Sequence, residues 1–430
     1  MSVQHVNYLI IGAGAAGFEA ARTLRQRDRA GSIVLLGQES VRPYDRRALS
    51  GRYLKRTASR SDLSTAPIGW FTQQRIELHT GSRVSAIDAN RRGVTLASGQ
   101  TYVADTILIA TGSTARPLRV PGADLPNVFA LRTLDDADRL LNALDKAKQV
   151  GRATPRGRGQ VAVIGGGVLG PELAGTLAEM GYGVDLVVGG AHPWWKFAGE
   201  TIGRFARRVL NDVGVIVHEQ VRVERIEGDG RAQRVVLAGG QTIACDLVIS
   251  ATGAIPNRDL LRGTPIDAEK AILTDAQTRT NIDRIFAAGD CAAIFDPLFG
   301  KHRIIDHWPH AIESGRIAGA NMAAALGHGP MQSFSGPGGF ETSLPGHTLT
   351  AFGEPRRIDH RLVRGNGNAI AEIGIDTDGR VAFVCTVGRP DEHAALQQLV
   401  TDRRDIRGTE ESLKDPETPL GQGGISLPES

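Results

Sequence analysis

Two glycine clusters of one pattern constrain this 430-residue chain more than anything else in it: Gly12-Ala13-Gly14-Ala15-Ala16-Gly17 near the start and Gly165-Gly166-Gly167-Val168-Leu169-Gly170 in the middle. Each follows an apolar, strand-like run (residues 7–11 and 160–164) and opens a helical pattern (residues 18–25 and 171–180). That is the context in which G-x-G-x-x-G cradles a dinucleotide. The first glycine makes the tight turn, the second lets backbone N–H groups approach a pyrophosphate at a helix N-terminus, and the third lets helix and strand pack closely. A glycine-rich turn without a ligand explains one such cluster, but it explains two in the same strand-to-helix setting poorly.

Three further strand-like runs end on turns. Residues 106–110 lead into Ala110-Thr111-Gly112, residues 247–251 into Ala251-Thr252-Gly253, and residues 278–286 into Ala287-Ala288-Gly289-Asp290-Cys291. With these, roughly residues 5–325 resemble the two-dinucleotide flavoproteins: pyridine nucleotide-disulfide reductases, ferredoxin and rubredoxin reductases, and the apoptosis-inducing-factor group. The motifs are specific as a set and weak singly. The resemblance implies FAD on the first glycine cluster and the Gly-Asp turn, and a nicotinamide nucleotide on the second cluster. It implies an α/β fold of two Rossmann-like domains, one inserted in the other, with a C-terminal α+β domain.

The expected organisation is an FAD domain from residues 1–115 and 245–327, a nicotinamide nucleotide domain from 116–244, a C-terminal interface domain from 328–407, and a disordered polar tail from 408–430. Residues 146–158, basic and punctuated by Gly and Pro, read as a solvated connection.

An acid about twenty residues beyond the first cluster would hydrogen-bond the adenosine ribose. Glu39, just past the strand 32–36, is the candidate, against a plain surface-loop role. The resemblance puts Asp290 on the FAD ribityl chain and Arg132 against FAD; as a helix-leading arginine Arg132 needs no such role. The segment Arg42-Pro43-Tyr44-Asp45-Arg46-Arg47-Ala48-Leu49-Ser50-Gly51-Arg52 is similar to the ferredoxin-reductase pattern Pro-Tyr-x-Arg-Pro-x-Leu-Ser-Lys. Arg46 takes the arginine position, with the bidentate donors of a phosphate partner. Arg47 replaces a proline, and Gly51 replaces a lysine that in relatives lies near flavin N5 and pairs with a glutamate. That glutamate is retained as Glu172, expected at the flavin–nicotinamide junction. Arg52 is the candidate stand-in for the lysine, although a planar guanidinium is no simple substitute for an ammonium.

In Asp306-His307-Trp308-Pro309-His310-Ala311 the resemblance places a helix N-terminus under the flavin and Trp308 against its ring. His307 is a candidate proton donor, with a structural histidine as the competing reading. A metal is not expected, since His307 and His310 have no third ligand nearby in sequence. The nicotinamide choice turns on the residues after strand 184–188, where an acid would select NADH and cations would accept a 2′-phosphate. The chain offers Gly189-Gly190-Ala191-His192, with Lys196 further on. Without an arginine there, NADH is expected and NADPH is not excluded.

Residues 38–60 hold no cysteine, so neither a Cys-x4-Cys pair nor a single active cysteine is present in the region that thiol branches of the superfamily use. Cys245, Cys291 and Cys385 read as structural thiols in a reducing compartment, with cytoplasm the default. No apolar run approaches the ~18 residues that span a bilayer. A formal charge of +3, with no basic and aromatic interleaving, argues against nucleic acid.

The expected activity is hydride transfer from NAD(P)H to FAD and electron delivery to an acceptor. A small ferredoxin- or rubredoxin-type iron–sulfur protein is one acceptor, favoured by the arginine-rich residues 42–60. A quinone, oxygen or another small molecule is the second, and a redox-switched protein of the apoptosis-inducing-factor kind is the non-enzymatic alternative. The chain is expected as a monomer or homodimer.

Overall fold

The computed structural model describes residues 3–151, 153–155 and 157–420, which divide into two compact units. Of these residues, the first unit takes those up to Asp45, Arg60–Thr114 and Ile255–Gly338; the second takes Arg46–Ser59, those between 115 and 254, and those from 339 onward.

The first unit is built on the strand Val3–Ile11, whose second half is continuously buried, as a parallel strand covered on both faces requires. It pairs parallel with Ile33–Leu36 and with Thr101–Ile109, setting Leu9 opposite both Val34 and Ile107. Ile76–His79 extends the sheet beyond Ile33–Leu36. The last residues of Thr101–Ile109 pair parallel with Ile285–Ala287, and its first residues pair antiparallel with Gly93–Leu96. All the parallel strands therefore end at one edge, where Gly12, Ala110 and Gly289 leave them. Helices Ala15–Arg27 and Trp308–Ala324 cross closely because Gly315 and Gly319 face the first helix. A Cβ on either would stand 2.3 Å from the carbonyl oxygen of Ala16 or 2.5 Å from that of Ala20.

The second unit carries a fully parallel sheet in the order Ile216–His218, Gly183–Val187, Gln160–Ile164, Leu247–Ser250, Val128–Ala130. The sequence reading assigned the strand near 247 to the return of the first domain. It pairs instead with Gln160–Ile164, so the chain crosses back at residue 255 and not near 245. Helix Leu134–Val150 starts on a capping box formed by Thr133 and Asp136. Its last turn takes in residues 146–150, the beginning of the stretch read as a loop.

An antiparallel sheet of Gly339–Leu344, His347–Gly353, Val381–Val387, Ala369–Ile375 and His360–Asn366 completes this unit. Glu372 from that sheet caps helix Glu200–Asp212, whose N-cap Gly199 has no side chain to do so. Its carboxylate accepts from the backbone N–H of Gly199 and, at 2.9 Å, from that of Ile202.

The tail expected to be disordered from residue 408 is ordered as far as 420, and residues 421–430 lie outside the described residues. Glu410–Lys414 forms a short helix with Leu413 buried. The buried guanidinium of Arg364 donates to the carbonyls of Leu413, Asp415, Pro416 and Thr418 and pairs with Glu392 at 2.8 Å. A buried cation needs those acceptors, and the segment supplies them.

Candidate functional site

In the first unit, glycine is required at two corners of the first cluster. Gly12 has φ +116°, and a Cβ there would stand 2.1 Å from the carbonyl oxygen of Ala110; a Cβ on Gly17 would stand 1.8 Å from that of Gly12. Gly14 is different, because nothing lies within 4 Å of its would-be Cβ. It is the N-cap of helix Ala15–Arg27 and no side chain caps that end. Ala13, Ala15 and Ala16 complete the turn, with Ala16 against Gly315 and beside Gly289, whose φ is +73°.

Asp290 is only 7% exposed and accepts a 2.7 Å hydrogen bond from Ser113 Oγ. Thr111 and Asn257 exchange hydrogen bonds of 3.0 and 2.8 Å, and Asn257 N–H donates to the carbonyl of Gly112. The Ala110–Gly112 turn is thereby fixed next to the glycine cluster. Glu39, past strand Ile33–Leu36, accepts from Tyr44 Oη at 2.8 Å. His307 is the N-cap of helix Trp308–Ala324, and burial pushes its pKa down against the pull of Asp306 and Asp290. His310, one turn on, is fully buried and lowered to about 3 by burial and by Arg303, with Asp290 opposing. The Cys291 thiol, raised by burial, faces the carbonyls of Ile109 and Ala288, as a structural thiol does.

The second unit repeats the pattern. Gly165 has φ +134° with a Cβ position 2.2 Å from the Ala251 carbonyl oxygen, and a Cβ on Gly170 would lie 1.7 Å from that of Gly165. Gly167 again has nothing within 4 Å, and helix Leu169–Glu179 starts with no side-chain cap. Gly253, at φ +108°, ends the neighbouring strand's turn.

Glu172 lies in the first turn of that helix, accepting from Ser50 Oγ and, at 3.1 Å, from Thr342 Oγ1. Burial pushes its carboxyl pKa up, while both hydroxyls and the Ser343 backbone hold it down. Arg52, the candidate stand-in for the lysine, is exposed, and among the described residues it makes no ion pair with Glu172. Two short hydroxyl side chains reach a buried carboxylate where an exposed guanidinium does not. Arg46 and Arg132 are brought together, the Arg46 guanidinium donating to the Arg132 carbonyl.

Sequence reasoning missed Ser113, Asn257, Ser50 and Thr342. Only Ser50 had a signal, as the serine of the Leu49-Ser50 step in the segment already singled out. Thr342 is an alternating residue of an antiparallel strand and carries no local mark. The arginine-rich stretch is partly neutralised from within its own unit, with Lys55–Glu179 and Arg56–Asp145 ion pairs at 2.5 Å.

Residues 6–315 match the family profile described as pyridine nucleotide-disulphide oxidoreductase. The chain is 32% identical over 396 residues to the benzene 1,2-dioxygenase system ferredoxin–NAD(+) reductase subunit of Pseudomonas putida, covering 91% of each. It is 29% identical over 413 residues to human apoptosis-inducing factor 3, covering 95% of this chain and 65% of that one. Among solved structures, a ferredoxin reductase from Rhodopseudomonas palustris superposes with a TM-score of 0.88 at 29% identity, covering 96% of this chain and 98% of that one. The covalent putidaredoxin reductase–putidaredoxin complex gives 0.87 at 28%, covering 96% and 97%. The chain belongs to the pyridine nucleotide-disulphide oxidoreductase family.

Proposed function

We propose that this protein is an FAD-dependent NADH oxidoreductase that passes electrons to a small ferredoxin- or rubredoxin-type iron–sulfur protein in the cytoplasm. One observation carries the reading. In both glycine clusters the outer glycines are jammed against backbone, while the middle ones, Gly14 and Gly167, face open space at an uncapped helix start. Two such cradles fit the pyrophosphates of two dinucleotides.

The first unit would hold FAD through Gly12–Gly17, the Ala110–Gly112 turn, Glu39 on the adenosine ribose, Gly289 and Asp290 on the ribityl chain, and Trp308 on the ring. Residues 115–254 would hold the nicotinamide nucleotide through Gly165, Gly167, Gly170 and Gly253. When bound, the two cofactors supply hydride transfer between nicotinamide and flavin, followed by electron release to the acceptor. The chain's own part is to bind, align and keep water out, with Glu172 positioning the nicotinamide ring through a carboxylate held by Ser50 and Thr342. Gly189 and Gly190 present no cation for a 2′-phosphate, which supports NADH over NADPH. The three buried free thiols support a reducing compartment. The ferredoxin and rubredoxin reductases among the relatives support the acceptor class.

Anaerobic stopped-flow mixing tests this. The protein is expected to be yellow with about one FAD per chain. NADH should bleach the flavin faster than NADPH does, and an added [2Fe–2S] ferredoxin or rubredoxin should reoxidise it within the turnover time. Colourless protein that cannot be reconstituted with FAD overturns the reading. Fast reoxidation only by quinone or oxygen moves it to a small-molecule reductase, and a long-lived charge-transfer complex with no fast acceptor moves it to a redox switch.

A further inference from the structure

We propose that Trp195 is the adenine platform of the nicotinamide nucleotide site, its indole stacking on the base and replacing recognition of the adenosine ribose by an acid. The inference rests on the reading of the second glycine cluster as a nucleotide site. In a dinucleotide-binding fold the adenosine half lies past the end of the second strand, where an acid reads the ribose. That strand here is Gly183–Val187, and the residues after it are Val188, Gly189, Gly190 and Ala191. None can hydrogen-bond a ribose through its side chain, so any adenosine recognition has to come from elsewhere in the loop.

The loop supplies an aromatic surface instead. A Cβ built on Gly190 would meet Trp195 Cγ, Cδ1 and Cδ2 at 2.3 to 2.4 Å, so the indole lies directly against the Gly190 backbone. Only glycine permits that contact, which accounts for the residue found where a charged one was expected. Although packed on one side, Trp195 remains 45% exposed, while its neighbour Trp194 is buried. The reversal between the two is imposed by the backbone: Trp194 has φ +67°, a left-handed conformation that is costly for a bulky side chain. Strain of this kind persists where surrounding structure over-determines it, commonly at ligand sites.

Trp194 N–H donates to the carbonyl of Gly166 within the glycine cluster at 2.7 Å, Ala198 N–H donates to the carbonyl of Trp194 at 3.0 Å, and Gln220 N–H donates to that of Gly190 at 2.9 Å. The exposed indole is thus tied to the cluster that would carry the pyrophosphate. Lys196 Nζ lies over the same ring, 6.0 Å from its centroid, so the exposed indole face already attracts a positive group. Any base offers a π-face to such a ring, and stacking of this type does not depend on the ribose substituent.

The test uses the FAD-loaded full-length protein and compares wild type, Trp195→Ala and Trp195→Phe in anaerobic stopped-flow reduction by NADH, NADPH and nicotinamide mononucleotide in its reduced form. The last lacks the adenine. Trp195→Ala should weaken apparent Kd for NADH and NADPH by the same factor, about tenfold to a hundredfold. The limiting rate should change little, reduction by the mononucleotide should not change, and inhibition by 5′-AMP should weaken in parallel. Trp195→Phe should recover most of the affinity. An unchanged NADH Kd in Trp195→Ala overturns the proposal, as does equal weakening toward the mononucleotide, which would mark the loop as merely structural. Wild-type holoprotein that NADH does not reduce would instead remove the nucleotide site itself, a failure distinguishable from the first two.

Discussion

Gly14 and Gly167 are the two positions where single atoms separate cofactor binding from folding. Because a Cβ at either meets no protein atom within 4 Å, Gly14→Val and Gly167→Val should fold with near wild-type melting temperatures. Gly14→Val should lose FAD, read as flavin absorbance per chain. Gly167→Val should keep its FAD and lose reduction by NADH.

Glu172 invites a paired experiment. Glu172→Gln should slow flavin reduction tenfold to a hundredfold, the loss of about 1 to 3 kcal/mol of transition-state contact, with FAD content unchanged. If the carboxylate serves only the helix dipole, the rate will stand and the melting point will drop slightly. Gly51 also has open space at its Cβ position. In Gly51→Lys an ammonium near the carboxylate would favour its charged form and oppose the upward push of burial. Any inflection that Glu172 contributes to the pH profile of flavin reduction should therefore move to lower pH.

His310 gives a stability prediction with a definite sign. Its folded pKa of about 3 lies below the usual histidine value, so between the two the unfolded chain binds a proton that the folded chain refuses. Stability should fall as pH drops below about 6.5, by up to ~1.4 kcal/mol per pH unit, and His310→Asn should flatten that part of a melting-temperature curve.

At the scale of elements, the crossing of Ala15–Arg27 on Trp308–Ala324 decides whether the first cradle has its shape. Gly315→Ala would put a methyl group 2.3 Å from the Ala16 carbonyl oxygen, backbone that no side-chain rotation can clear. Overpacking of this kind typically costs ~1 to 3 kcal/mol. The displaced helix is the one whose N-terminus Gly14 opens. A lowered melting point together with reduced FAD occupancy is expected, and full occupancy in the variant would show that the cradle is independent of the crossing. In the second unit the C-terminal sheet is more than a cover, since it sends Thr342 to Glu172 and Glu372 to the start of helix Glu200–Asp212.

At the scale of the whole molecule, the chain passes between its units at 45/46, 59/60, 114/115, 254/255 and 338/339, so neither unit is a continuous stretch that one cut releases. No helix among the described residues is long and apolar enough to cross a membrane. The net charge of +3 is small, and Lys55 and Arg56 are already paired, so under the proposed function attraction for an acidic partner would rest on exposed cations such as Arg52. The second-order rate of electron delivery to an acidic ferredoxin should fall roughly tenfold as ionic strength rises from about 0.01 M to about 0.15 M, while flavin reduction by NADH changes far less. A salt-independent partner rate would point to apolar docking.

What the sequence determined by itself was local: both glycine cradles, the strands and helices flanking them, the Gly-Asp turn and the absence of an active thiol pair. These follow from backbone needs met within about twenty residues, such as a left-handed φ at Gly12 and Gly165 or an apolar run too continuous to face water. Tertiary structure alone decided the rest. The strand Leu247–Ser250 is fully buried like Ile33–Leu36 of the first unit, and only pairing told it to join Gln160–Ile164. Glu172 found Ser50 and Thr342, 122 and 170 residues away, where sequence reasoning had offered Arg52. A polar tail became ordered through residue 420 because Arg364, buried fifty residues upstream, needed its carbonyls. In each case the deciding partner is distant along the chain, and a periodic pattern records which face of a segment is buried without recording what buries it.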